Sequence, residues 1–229
     1  MPANSPTLLF AAILTFPAWF SVSAPAHGEE KDTPAKDPPA VKINEDLRQE
    51  LLRRSKEDQE ARKRFLELMG RRGQRDPAEA KTQQDPDAKK LQEVDRANTA
   101  RMKEVVAKFG WPGKSLVGRD GAHAAWLLIQ HADLDRPFQK RCLDLLREAF
   151  KRGEATGEQF AYLTDRVLIG ENKKQLYGSQ FQQRDGKWVP NPIEDEANVD
   201  KRRKEVGLPP LAEYEKLIRK MYETIGPGK

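Results

Sequence analysis

Residues 110–133, GWPGKSLVGRDGAHAAWLLIQHAD, decide how this chain folds; two of its three histidines and two of its four tryptophans lie there. Gly110, Pro112 and Gly113 turn the chain sharply, because proline cannot continue a helix and glycine accepts dihedrals that other residues avoid. A helix is predicted from about Gly121 to Asp133. It is apolar nearly all round, through Ala122, Ala124, Ala125, Trp126, Leu127, Leu128, Ile129 and Ala132, as a helix at the centre of a bundle is. His123, Gln130 and His131 are its polar members. The two histidines stand about 12 Å apart along the axis, so they cannot share one metal ion, and neither a metal centre nor a cofactor is expected. Gly113-Lys114-Ser115 is not a phosphate-binding loop, since that motif needs a glycine where Lys108 stands.

The helices on the N-terminal side carry a repeated defect. The first should run from about Glu45 to Gly70 with Asn44 as its cap. Leu47, Leu51, Phe65 and Met69 form its apolar stripe, with Leu52 and Leu66 in an adjacent row. Asp58 lies seven residues after Leu51 and Arg62 seven before Met69, so both point the same way as the apolar side chains. Gln59 interrupts the other row. After an apolar-free loop, Arg71 to Asp85, a second helix starts at Pro86 and ends at Gly110. Its stripe of Leu91, Met102, Val105 and Phe109 is interrupted by Asp95 and Asn98. Two helices joined by a loop pack antiparallel, so these groups are expected to meet in a shared polar layer. Inside a protein they must be hydrogen-bonded to one another or hydrated, since an orphan costs about 1–3 kcal/mol.

On the C-terminal side, Asp135 caps a fourth helix with Pro137 in its first turn. Phe138, Cys142, Leu145, Leu146, Ala149 and Phe150 form its inner face, and Gly153 ends it. Cys142, the single cysteine, reads as a small buried hydrophobe. Thr156-Gly157-Glu158-Gln159 is a capping box that opens a fifth helix, to about Gly170, with Phe160, Leu163, Val167 and Leu168 inward. Asp165 and Arg166 are expected at its surface unless the fold sets them against His131. Gln175 to Gln182 alternates, Asp185-Gly186 is a type I′ turn signal, and Lys187 to Pro190 returns, which predicts one β-hairpin. Pro190 and Pro192 confine the second strand to an edge. Short helices at Asn198–Val206 and Pro210–Ile225 should wrap back over the bundle, the latter burying Leu211, Tyr214, Leu217, Ile218 and Met221.

Residues 1–26 contain no charged side chain, and Leu8 to Val22 is apolar but short for a membrane span. With Ala24-Pro25-Ala26 before His27, this reads as a secretory signal peptide, and no stable membrane span is expected after its cleavage. Residues 27–43, rich in Pro, Glu, Lys and Asp, read as a disordered linker. The predicted fold is therefore mainly α: one helical domain over 44–225, about five core helices, a C-terminal hairpin near 175–190 and short wrapping helices. The net charge of +5 comes from 41 basic residues interleaved with 36 acidic ones. That is a mixed surface, and nucleic acid is not an expected partner.

Six ordered motifs run through the chain: Asp58-Gln59-x-x-Arg62, Asp95-x-x-Asn98, Gly110-Trp111-Pro112, Gln130-His131-Ala132-Asp133, Tyr162-Leu163-x-Asp165-Arg166-Val167 and Gln175-x-Tyr177-Gly178-Ser179-Gln180. Together they resemble an uncharacterised bacterial family, domain of unknown function 6624, over about Leu47 to Tyr214. Ser179 stands where the family has threonine, which keeps the hydroxyl. No activity follows from the resemblance; it implies that the six motifs belong to one unit.

Two functions fit this pattern. The first is a non-catalytic envelope module that binds a small ligand or an envelope protein, with Asp58, Gln59, Arg62, Asp95, Asn98, Gln130, Gln175 and Gln180 as its polar cluster. The alternative is an extracytoplasmic hydrolase or lyase. There His131 would be the general acid/base, oriented by Asp165 or Asp133, with Arg166 on developing charge and Tyr177 in the same cleft. No G-x-S-x-G or other nucleophile signature accompanies it.

Overall fold

In the computed structural model, which describes residues 43–72, 86–184 and 187–225, Asn44 caps the first helix where its position predicts. Its Oδ1 accepts the N–H of Leu47 at 3.1 Å. Helix α1 spans Glu45–Arg72 and α2 spans Pro86–Phe109. Along α1 the buried positions are Leu47, Leu51, Asp58, Ala61 and Arg62, so the two charged residues occupy the same stripe as the leucines. On α2 the buried face is Leu91, Asn98, Thr99, Met102 and Val105. Both helices pack on α3 and on each other.

Helix α3 spans Lys114–Gln130, beginning about two turns before the predicted start at Gly121. Gly118, at φ 72°, breaks it into two pieces. A side chain there would be strained, and the break is what makes the sequence pattern restart at Gly121. The Asp120 carboxylate caps the second piece by accepting Gly121 N–H at 2.8 Å. That carboxylate also holds Arg48 of α1, so the kink is tied to its neighbour. From Gly121 to Gln130 the residues are buried except His123.

Helix α4 spans Arg136–Lys151, capped by Asp135, which accepts Phe138 N–H at 3.0 Å. Its inner face includes Gln139 and Leu143; Leu145 and Phe150, predicted inward, are only half-buried. Helix α5 spans Gly157–Gly170, with both bonds of the Thr156–Gln159 capping box formed. Ala161 through Val167 are all buried, so α5 is interior on every side. Phe160 and Leu168 lie at its margin, where Phe160 stacks on Phe150 at 5.6 Å. Fully buried Leu51, Leu128, Phe138, Leu146 and Leu163 each contribute about 1.5–3 kcal/mol. Cys142 is buried among them, and burial pushes its thiol up to about 12, which removes it as a nucleophile.

The hairpin is shorter than predicted. Strand β1 is Phe181–Arg184 and β2 is Lys187–Pro190, antiparallel with Phe181 opposite Pro190 and Arg184 opposite Lys187. Gln175, the predicted start of the first strand, makes only an isolated parallel bridge to Ile193. The intervening N–H groups of Leu176, Tyr177 and Ser179 point at Asp165 instead, so they cannot join a ladder. Gly178 turns this loop at φ 68°, and a Cβ on it would lie 2.7 Å from Leu211 Cδ1. A 3-10 turn at Glu196–Asn198 leads to α6, Val199–Glu205, and α7, Leu211–Ile225. Helix α7 lies against α1 and β2 and buries Leu211, Tyr214 and Ile218. Leu217 is instead 37% exposed, because it sits one residue off that face, and Met221 is half-buried.

The signal peptide predicted over 1–26, nearly all of the linker predicted over 27–43, most of the loop predicted at 71–85 and the turn predicted at 185–186 lie outside the described residues. Among the described residues no helix is long and apolar enough to cross a membrane.

Candidate functional site

The interrupted stripes of α1 and α2 meet around one guanidinium. Arg62 donates through Nη2 to Asp58 Oδ1 at 3.3 Å and to Asp95 Oδ1 at 2.5 Å. Its Nε lies 3.2 Å from Asp58 Oδ2 and 2.9 Å from His131 Nδ1. His131 is the residue just past α3 and its side chain is 1% exposed. Its Nδ1 is 2.8 Å from Asp58 Oδ2, the oxygen that also accepts from Gln59 at 2.9 Å. Helices α1, α2 and α3 are thus joined by one hydrogen-bonded layer.

Nδ1 cannot both accept from Arg62 and donate to Asp58. Charge decides between them. Burial pushes the Asp58 carboxyl up, but His131 and Arg62 outweigh it and hold the carboxyl below the usual range, so Asp58 is an anion with no proton to give. His131 therefore carries its proton on Nδ1 and donates to Oδ2, and Arg62 Nε serves the same oxygen. Burial, reinforced by Arg62, lowers His131 to about 4 against the opposing pull of Asp58. The ring is neutral at pH 7. Asp95 moves the other way: burial raises it to about 7, aided by the nearby Asp58 and Asp133 charges and opposed by Arg62.

A second pair adjoins this one. Asp133, in the turn after α3, accepts both Nε, at 3.0 Å, and Nη2 of Arg166 on α5. It also receives Arg136 at 3.0 Å and Gln139 at 3.2 Å. Burial pushes Asp133 up, yet Arg166 and Arg136 bring it below the ordinary value; burial likewise lowers Arg166 against the pull of Asp133. Arg166 therefore lies close enough for its charge to act on His131 and Asp95, while its hydrogen bonds go to Asp133. A cavity of about 270 Å³ lies between the first turns of α4 and the end of α5, walled by Arg136, Pro137, Gln139, Val167 and Gly170 among others. None of His131, Asp165 and Tyr177 lines it.

Asp165 belongs elsewhere. It is fully buried, not at the surface, and its bonds run away from His131. Oδ1 accepts Leu176 N–H at 2.7 Å and Tyr177 N–H at 3.0 Å, while Oδ2 accepts Ser179 N–H at 2.8 Å. Burial raises this carboxyl and those three N–H groups pull it back. From the other side Arg203 of α6 donates to the carbonyls of Pro209 and Tyr177, and Arg202 donates to that of Leu176 at 2.9 Å. Gln175 closes the loop, donating to the carbonyls of Gln180 and Asn191 and accepting Gln180 N–H. The loop at 176–179 is thus gripped by an anion on its N–H side and by cations on its carbonyl side.

The predicted residues consequently fall into two sets. His131, Asp58, Gln59, Arg62 and Asp95 share one layer, with Arg166 adjoining. Asp165, Tyr177, Gln175 and Gln180 form the clip on the C-terminal loop. Asn98 is buried beside the first set and accepts Arg54 at 3.3 Å. Gln130 turns away, its Nε2 reaching the Tyr162 carbonyl at 3.5 Å. Two contributors were missed. Gln139, four residues before Leu143, and Arg203, four after Val199, interrupt apolar stripes as Asp58 does, and the same periodicity would have found them. Among the described residues no group of three or more His, Cys, Asp or Glu is placed to hold a metal ion.

A family model described as a family of unknown function (DUF6624) matches residues 45–225. No curated protein and no solved structure matches the chain.

Proposed function

We infer that this chain, which belongs to the family of unknown function DUF6624, is a non-catalytic module of the cell envelope that engages a small ligand or envelope protein through its outer surface. The observation that carries the reading is the state of His131. Its side chain is 1% exposed, its Nδ1 is spent on Asp58, and burial keeps it neutral well below pH 7. A general acid/base must come within hydrogen-bond reach of its substrate, and a sealed ring does not. Asp165 is likewise spent on backbone N–H groups and Arg166 on Asp133. Such a network holds helices in register.

His131→Gln tests the reading. Thermal melts should show a loss of at least about 2 kcal/mol, because Gln cannot match the ring's packing and its bond to Asp58 together. An unchanged midpoint would point to a residue kept for chemistry and revive the hydrolase or lyase reading. Export rests on the uncharged, apolar residues 1–26 ending in Ala-Pro-Ala. Intact-mass measurement of the protein from a bacterial host should find a chain beginning at His27; a retained Met1 in a protein recovered from the cytoplasm would end that part of the reading.

A further inference from the structure

Asp58 and Asp95 share Arg62, but not equally. Asp58 is fully buried and accepts from Gln59, Arg62 and His131. The Asp95 side chain is 14% exposed at the rim of the layer, and its hydrogen bond is to Arg62. Facing it are Asp58 and Arg62 from α1, with His131 behind Arg62; Asp133 from the turn after α3; and Arg166 from α5. The two buried guanidiniums, Arg62 and Arg166, balance Asp58 and Asp133; Arg136, which also pairs with Asp133, is 44% exposed and its charge is screened by water. A charge on Asp95 therefore leaves the interior one negative charge in excess, relieved only by a proton or by moving the carboxylate into water.

Between Leu91 and Met102 the buried residues of the helix that bears Asp95 are polar, and its contacts with α1 there include Arg62 on Asp95 and Arg54 on Asn98. One turn beyond Asp95 on the same face, Asn98 Nδ2 and Thr99 Oγ1 are buried with no hydrogen-bond partner among the described residues. Firm attachment begins beyond them, where Arg101 grips both oxygens of Glu50 at 2.8 Å and Met102 and Val105 enter the core. We propose that the layer is a single-proton latch: a proton on Asp95 seats the first half of α2 against α1, and its loss lets that half lift toward solvent about a hinge near Arg101.

The sign follows from linkage. Asp95 in the seated helix holds its proton up to about 7, whereas a solvated aspartate loses it near 3.8. Between those limits the lifted state binds fewer protons, so its share rises with pH, up to tenfold per unit, and levels off above about 7. His131 works in the opposite sense on global unfolding. Seated, it ionises only near 4, against 6.5 when exposed, so global stability falls as pH drops through that window. Global unfolding exposes both groups and the slopes largely cancel there. Local lifting of α2 carries away Asp95, while Asp58 and His131 remain on α1 and past α3.

Amide hydrogen exchange of the whole protein between pH 5 and 8, corrected for intrinsic rates, separates these cases. In the wild type, opening constants of α2 amides before Arg101 should climb toward tenfold per pH unit up to about 7, while α5 amides stay flat. Asp95→Asn, which imitates the protonated acid, should abolish the climb, and Glu93→Gln, at an exposed site on the same helix, should retain it. A flat profile in the wild type, a slope that survives Asp95→Asn, or one opening constant common to α2 and α5 would each overturn the latch.

Discussion

Arg62→Ala is expected to lower stability by about 3–5 kcal/mol, the larger of the effects open to a single substitution in the charged layer. The variant strands Asp58, fully buried, and Asp95, nearly so, without the cation that both accept from. The lost Coulomb attraction is the lesser part of the cost. The greater part is the Asp58 carboxylate, and Asp95 whenever it ionises, kept from water with too few donors. Domains of this size hold only about 5–15 kcal/mol in all, so urea unfolding should shift to a much lower midpoint with an unchanged slope. Adding Asp95→Asn should return part of the loss, since it removes the acid that can no longer ionise there beside a cation, and the two changes should be strongly non-additive. Additive effects, or a midpoint indistinguishable from wild type, would mean that Arg62 is hydrated and the layer open.

Asp165→Ala should cost more than about 3 kcal/mol, by a different route. No ion pair is broken. Three backbone N–H groups, those of Leu176, Tyr177 and Ser179, lose their acceptor at once, and Arg203 keeps its grip on the carbonyl side with one anion fewer nearby. The loop should then leave the bundle, carrying the hairpin, α6 and α7. Limited proteolysis should cut first near Gly170 to Gly178 and leave the first five helices more resistant. Asp165→Asn should be milder, because the amide oxygen still accepts two of the three bonds. Equal cleavage of wild type and Asp165→Ala would show that the loop is held by other means, with Tyr214 and the packing of Leu211 against Gly178 the first places to look.

The charged layer was legible because periodicity reports direction. Asp58, Arg62 and Asp95 stand where apolar residues belong, and a helix cannot aim one position of its stripe elsewhere. The same rule, applied to α4 and α6, would have exposed Gln139 and Arg203. What it could not report is a partner. Asp165 points inward like Asp58, yet its acceptors' counterparts are main-chain N–H groups in a loop whose alternation imitates a strand. Nothing in the side chains of Gln175 to Gln180 distinguishes N–H groups committed to a ladder from N–H groups committed to a carboxylate. Leu217 failed for a simpler reason: a helix that covers a bundle from outside buries a narrower stripe than one inside it.

By itself the sequence determined the helices, their caps at Asn44, Asp135 and Thr156, the break at Gly110, and the presence of polar groups on inward faces, because these depend on dihedral preference and spacing along one element. Only the tertiary structure decided that Arg62 serves Asp58 and Asp95 together, that Arg166 pairs with Asp133 beside the layer, and that Asp165 clips a loop instead of orienting His131. Those outcomes depend on how far apart neighbouring helices lie and which groups compete for the same oxygen at 3 Å. Hydrogen bonding and the desolvation of charge are settled at that distance, between elements that no local pattern relates.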